Sequence, residues 1–115
     1  MYLKGIGIAS HPPVIIPEVG GGRELMAEKT VRGMRDLALK VAETKPKVIV
    51  CITPHGNVFQ DGVSVIYETR LEGDMSEYGA PEIRLEKRCD MGLLEEMNRR
   101  FAQSDCQSKI GRAHV

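Results

Sequence analysis

Two histidines stand beside prolines, and their side chains have the chemistry of metal ligands. His11 comes directly before Pro12, and His55 comes directly after Pro54. Proline reduces the freedom of the backbone around it, and a metal site requires ligands on a rigid support. Imidazole suits Fe(II), Zn(II), Cu and Ni about equally well. The two histidines therefore predict a metal site, without specifying which metal it binds.

The segments that precede these histidines predict how the two side chains could meet. Residues 2–10 and 47–53 have the composition of strands, and residues 24–44, between them, have helical periodicity. This order predicts a βαβ unit, in which the two strands are parallel and end at the same edge of a sheet. Neighbouring strands lie about 4.8 Å apart, and ligands of open α/β sheets bind at that edge. We therefore expect His11 and His55 to converge.

The second half of the chain predicts further strands and a helix. Residues 63–69 are predicted to form a third strand, residues 70–82 a polar loop and residues 83–89 a short strand. A helix is predicted for residues 90–103, with Asp90 as its N-cap. The expected fold class is therefore α/β, with a βαβ-based central sheet flanked by helices.

A third metal ligand does not stand out in the sequence. A carboxylate beside two histidines, with coordination positions left open, would give the facial triad of non-haem iron oxygenases. The nearby carboxylates are Glu18, Asp61, Asp74, Glu77 and Glu82. None of them has a spacing that marks it as a ligand, so the catalytic residues stay unassigned.

The glycine run at residues 20–22 offers an alternative kind of site. Backbone N–H groups ahead of a helix can bind an anion, but the run fits neither G-x-G-x-x-G nor G-x-x-x-x-G-K-[ST]. A flexible loop leading into the helix is the favoured interpretation.

Composition excludes several classes of protein. The 115 residues include 16 basic and 16 acidic side chains, so no net field favours nucleic acid or an anionic membrane. No apolar run approaches the roughly 20 residues that span a bilayer, and the first residues do not resemble a signal peptide. Three cysteines at long spacings argue against a disulfide framework. We expect a cytoplasmic protein without nucleic-acid or membrane partners.

Three motifs in order carry a family resemblance. The stretches SHPPVIIPEVGGGRE, KPKVIVCITPHGNVFQDGVSV and EGDMSEYGAPE resemble the B-subunit family of class III extradiol ring-cleavage dioxygenases, and in particular its Memo-like branch of the AmmeMemoRadiSam systems. The resemblance implies an α/β fold and a non-haem Fe(II) held by two histidines and a glutamate. The two family histidines match His11 and His55. The implied reaction opens catechol-type aromatic rings with O₂.

The resemblance also leaves two functions open. One is the Fe(II)-dependent dioxygenase, and the alternative is a Memo-like metal-binding or interaction protein without ring cleavage, which could use another divalent metal. Family members are longer, and their third ligand and acid–base histidine come from a later part. We therefore expect residues 1–108 to be the N-terminal part of a larger single domain. Residues 109–115 resemble a translated sequencing adapter and are predicted to be a non-native tail, which excludes His114 from the metal site.

Overall fold

The computed structural model describes residues 2–105 and 107–111 and confirms a mixed α/β fold. The helices are α1 (Pro17–Gly20), α2 (Glu28–Glu43) and α3 (Met91–Ala102). The strands are β1 (Gly62–Ile66), β2 (Arg70–Met75), β3 (Ala80–Arg88) and β4 (Gln107–Gly111). Short 3₁₀ turns occupy Pro13–Ile15, Arg23–Ala27 and Ser76–Tyr78. The chain divides into a first unit, Met1–Ile49 with Asp74–Ile83, and a second unit, Val50–Gly73 with Arg84–Val115.

Helix α2 confirms the helix predicted for residues 24–44. Met34, Leu37 and Val41 repeat at intervals of three and four residues and are the less exposed positions of one side. The helix ends where the Thr44 hydroxyl donates a hydrogen bond to the Val41 carbonyl at 2.7 Å. The following residue, Lys45, has a left-handed backbone with φ 47°, which turns the chain out of the helix.

Helix α3 confirms the helix predicted for residues 90–103. The Asp90 carboxylate accepts a hydrogen bond from the Leu93 N–H at 2.9 Å, which is the expected N-cap. Leu94, Met97 and Phe101 are half-buried on one side of the helix. Among the described residues, no helix has the length and apolar character needed to cross a membrane.

Strands β1 and β4 form a parallel pair within the second unit. Gly62 lies opposite Gln107 at one end of the pair, and Ile66 lies opposite Gly111 at the other. A parallel pair needs a long connection, and the β2–β3 hairpin followed by α3 supplies it. The strand predicted for residues 63–69 is confirmed for its first part.

The hairpin of β2 and β3 corrects the prediction of a polar loop at residues 70–82. Strand β2 occupies the first part of that segment, and β3 begins at Ala80. Ala80 is fully buried. The short strand predicted for residues 83–89 is confirmed within β3. The polar residues of this segment led to the prediction of a loop, although Leu71 and Met75 have the even spacing of a strand.

The strands predicted for residues 2–10 and 47–53 are not formed, and this is the main correction to the predicted fold. Both segments lack regular secondary structure, and their apolar side chains are exposed, with Ile8 97% and Ile52 96% exposed. A strand is stable only when a neighbour satisfies its backbone hydrogen bonds, and no described residue pairs with either segment. The described residues thus form two two-stranded sheets in place of one central sheet.

Gly7 and Ile49, one from each of these segments, nevertheless lie beside the apolar side of α2. A side-chain carbon added to Gly7 would stand 3.1 Å from Leu37 Cδ1. Leu37 also borders an apolar groove of about 440 Å³. The groove is lined by Met34, Leu37, Ala38, Val41, Ala42, Pro46 and Ile49. The apolar side of α2 therefore meets both flanking segments within the first unit.

Candidate metal site

His11 is exposed and belongs to the first unit, where it directly precedes a compact folded segment. Pro12 has an extended backbone, with φ −71° and ψ 127°, and its carbonyl accepts a hydrogen bond from the Ile15 N–H at 3.2 Å. This bond closes the 3₁₀ turn Pro13–Ile15. The residue after His11 is therefore tied into ordered structure, as the adjacent prolines predicted.

The folded segment, residues 12–27, is here called the support segment. It consists of the turn Pro13–Ile15, helix α1 and the turn Arg23–Ala27, and these three elements contact one another. Helix α1 is joined to the first turn through Ile16, whose N–H donates to the Pro13 carbonyl at 3.0 Å and whose carbonyl accepts from the Gly20 N–H at 2.7 Å. Gly21 and Gly22 then reverse the chain with positive φ angles of 58° and 99°.

Gly20 is the tightest point of the support segment. It is buried, and a side-chain carbon built on it would stand 2.4 Å from the Val14 carbonyl oxygen and 2.5 Å from Glu24 Oε2. Neither separation is possible for real atoms, so this position accepts only glycine unless the segment shifts. The backbone of Gly20 is thus packed between the first turn and the Glu24 side chain.

Glu24 decides the anion-binding alternative for the glycine run. Its carboxylate Oε2 accepts a hydrogen bond from the Gly22 N–H at 2.8 Å. The Arg23 side chain, through Nε, donates to the Gly20 carbonyl at 3.1 Å. An amide that could meet a phosphate is therefore engaged by the protein's own carboxylate, whose charge would also repel an anion. The glycines act as a turn, as the sequence favoured.

His55 lies in the second unit, in an irregular and fully exposed loop, residues 54–61, here called the His55 loop. The His55 N–H donates to Thr53 Oγ1 at 3.3 Å. Gly56 has a positive φ of 97°, with open space where a side chain would be. The predicted loop is confirmed, and it contains no helix or strand.

The structure therefore describes the two predicted metal ligands in separate units. Their convergence was predicted from a βαβ unit whose strands are not formed, and it stays a prediction. Among the described residues, no group of three or more His, Cys, Asp or Glu side chains is arranged to hold a metal. His114, which the sequence excluded, lies outside the described residues.

Asp74, one of the carboxylates weighed as a third ligand, has a structural role in the motif GDMSEYGAPE. Its Oδ1 accepts a hydrogen bond from the Ser76 N–H at 2.9 Å, which forms an Asx turn. Gly79, with φ 77°, closes the following 3₁₀ turn, Ser76–Tyr78, by donating its N–H to the Ser76 carbonyl at 3.0 Å. The motif thus builds the connection between β2 and β3. A short acidic residue two positions before a serine was the sequence signal for this turn.

Tyr67, directly after β1, and Glu96, in α3, lie outside the candidate site and have shifted pKa values. A hydrogen bond to the Glu95 carboxylate, followed by burial, raises the pKa of the Tyr67 hydroxyl. Hydrogen bonds from Arg99 and then Arg100 lower the pKa of Glu96. These groups all belong to the second unit.

Comparison with known proteins shows the family to which the chain belongs. The family described as the catalytic LigB subunit of aromatic ring-opening dioxygenase matches residues 5–113. The chain therefore belongs to this family, and both predicted metal ligands lie inside the match. The finer assignment to the Memo-like branch stays a prediction.

A bacterial relative puts the length of the chain in proportion. A protein of Clostridium acetobutylicum is 33% identical over 97 residues, which are 84% of this chain and 21% of that protein. The chain thus spans about a fifth of this relative, whose name states no activity. No solved structure gives a significant match. Residues 109–111 of the predicted tail lie in β4 and residues 112–115 lie outside the described residues, so the boundary at 108 stays a prediction.

Proposed function

We propose that the protein functions as part of a non-haem Fe(II)-dependent extradiol dioxygenase that opens catechol-type rings. The observation that carries the proposal is the family match over residues 5–113, which includes His11 and His55 with their flanking prolines. Since the chain spans a fifth of its bacterial relative, the activity is proposed for the whole protein. Small aromatic diols and O₂ are the proposed substrates.

His11 and His55 are the proposed metal ligands. Two imidazoles are a suitable part of the donor set for Fe(II), and a carboxylate would complete it. The third ligand is expected in the later part of the full-length protein, as the family resemblance implies. Bound Fe(II) would supply Lewis-acid and redox chemistry.

Metal binding by histidine variants tests the ligand assignment. Fe(II) is titrated anaerobically into the protein and into the His11→Ala, His55→Ala and doubly substituted variants. We expect each single change to weaken binding strongly and the double change to abolish it. His114→Ala is the matched control, because it removes the remaining histidine and should leave affinity unchanged. Equal affinity in the double variant would overturn the assignment.

Ring cleavage is tested separately on the full-length protein. The Fe(II)-loaded enzyme is mixed anaerobically with a panel of catechols, air is admitted, and the yellow ring-opened product is followed by absorbance. Product that disappears in the His11→Ala variant is the expected result. Fe(II) binding without product from any catechol would favour the alternative, a Memo-like metal-binding or interaction protein, for which the GDMSEYGAPE motif is the sequence indication.

A further inference from the structure

We infer that Gly20 and Glu24 are positioning residues for His11, although both follow it by nine residues or more in the chain. The inference rests on the proposed metal role of His11. It is carried by the geometry of the support segment, all of which belongs to the first unit.

The connection begins at the backbone beside His11. Pro12 is bonded covalently to His11, and its carbonyl is held by the Ile15 N–H at 3.2 Å. Any movement of the turn Pro13–Ile15 therefore moves Pro12. Proline restricts its own φ and the conformation of the preceding residue. A shift of the first turn therefore also shifts the backbone of His11. The position of His11 thus follows the position of the first turn.

Gly20 and Glu24 fix that turn from its other side. The Val14 carbonyl oxygen lies where a side-chain carbon on Gly20 would be, only 2.4 Å from that point. Glu24 lies against the same glycine and is held by the Gly22 N–H at 2.8 Å. The first turn therefore rests on the Gly20 backbone, and Glu24 keeps Gly20 in place. Neither residue needs to touch a metal to influence its ligand.

Variants of Glu24 test the inference without adding bulk. Glu24→Ala removes the acceptor for the Gly22 N–H, whereas Glu24→Gln keeps an oxygen that can accept the same bond. Glu43→Ala is the matched control, since Glu43 is an exposed acid at the end of α2, outside the support segment. Gly20→Ala is the steric counterpart. The helical signal in circular dichroism shows that each variant retains α2 and α3.

Two measurements are made on each variant. The first, in the metal-free protein, is hydrogen exchange at the Ile15 and Ile16 amides together with the NMR chemical shifts of the His11 ring. The second is the affinity for Fe(II) by anaerobic titration. We expect Glu24→Ala and Gly20→Ala to accelerate exchange, shift the His11 signals and weaken Fe(II) binding on the order of tenfold, as for lost residues that orient a metal ligand. Glu24→Gln should restore most of each property, and Glu43→Ala should change none.

The outcomes separate this inference from the proposed function. Unchanged exchange and His11 shifts in Glu24→Ala would overturn the positioning role even if His11→Ala abolishes Fe(II) binding. If His11→Ala leaves Fe(II) affinity intact, the metal role fails, and the positioning of a metal ligand fails with it. Altered exchange and shifts would then show only that the segment supports the backbone. Altered exchange with unchanged Fe(II) affinity would likewise overturn the inference.

Discussion

The support segment after His11 and the His55 loop have the same proposed task but differ in what holds them. The support segment folds into three short helical elements that bond to one another, and it buries Gly20. The His55 loop is irregular and exposed from end to end, and His55 itself is linked by its N–H to Thr53 at 3.3 Å. The backbone after His11 is therefore ordered by nearby residues, whereas His55 lies in a loop without regular secondary structure.

The difference shows where a shared metal site would obtain its precision. Residues close in sequence to His11 order the backbone that directly follows it, so the His11 part of the proposed site would be organised before a metal binds. His55 lies in a loop without helix or strand, so regular secondary structure does not fix its position. A metal that orders the His55 loop would lose part of its binding free energy to that ordering.

Hydrogen exchange should show the largest contrast between the two regions. The amides of Ile15, Ile16, Gly20 and Gly21 are hydrogen-bonded, whereas residues 57–60 are exposed and irregular. We expect exchange at the former to be slower by at least about tenfold, which corresponds to a local opening free energy of about 1.4 kcal/mol. Exchange is measured by NMR on the metal-free protein, with Leu37 in α2 as a protected reference. Similar rates in both regions would remove the contrast.

Alanine in place of glycine should distinguish the two regions by mechanism. Gly20→Ala forces a carbon against Val14 and Glu24, and such overpacking costs about 1–3 kcal/mol. Gly56→Ala meets open space and strains only a positive φ, and because the surrounding loop can relax we expect it to cost less than about 1 kcal/mol. Urea unfolding followed by circular dichroism measures both.

Gly33→Ala is the control for the glycine variants. Gly33 lies inside α2 with open space around it. Alanine there should stabilise the protein by about 0.5–1 kcal/mol, because glycine has the greater unfolded-state entropy. A larger loss from Gly56→Ala than from Gly20→Ala would reverse the assignment of order to the two segments.

Replacing the prolines should reveal a smaller difference. Proline stabilises a protein by about 0.4–1 kcal/mol where the folded state fixes its conformation, because it restricts the unfolded chain. Pro12→Ala should cost about this much, since Pro12 is held in the support segment. Pro54→Ala should cost less, because the His55 loop is irregular in the folded state too. Equal shifts in the urea midpoint would indicate that both prolines stiffen their histidines to the same degree.

The sequence predicted best those features that depend on neighbours in the chain. The period of Met34, Leu37 and Val41 and the cap at Asp90 are local signals, and α2 and α3 appear where they predict. The same holds for the rigidity beside His11, since the prolines and glycines that create the support segment are all within it. Strand β2 was missed because Glu72 and Gly73 weaken the signal of its apolar alternation.

The strands expected at residues 2–10 and 47–53 could not be decided locally. Their composition specifies an apolar, β-branched segment, but a strand also needs a partner, and the partner is a property of the whole sheet. Without such a partner, Ile8 and Ile52 are almost fully exposed. The convergence of His11 and His55 was predicted from those strands. It therefore also depends on strand pairing that local sequence does not decide. Both histidines lie within the family match over residues 5–113, and their role as metal ligands stays a prediction.

The smallest expected effect comes from the bond between Thr53 and His55. Thr53→Val keeps the shape of the side chain but removes the oxygen that accepts the His55 N–H at 3.3 Å. A long, exposed hydrogen bond contributes little, so we expect a change in unfolding free energy within about 0.5 kcal/mol. Fe(II) affinity, measured by anaerobic titration, should change far less than in Glu24→Ala. If Thr53→Val weakened Fe(II) binding as much as Glu24→Ala, the His55 loop would be organised by its own residues, and the contrast between the two regions would be wrong.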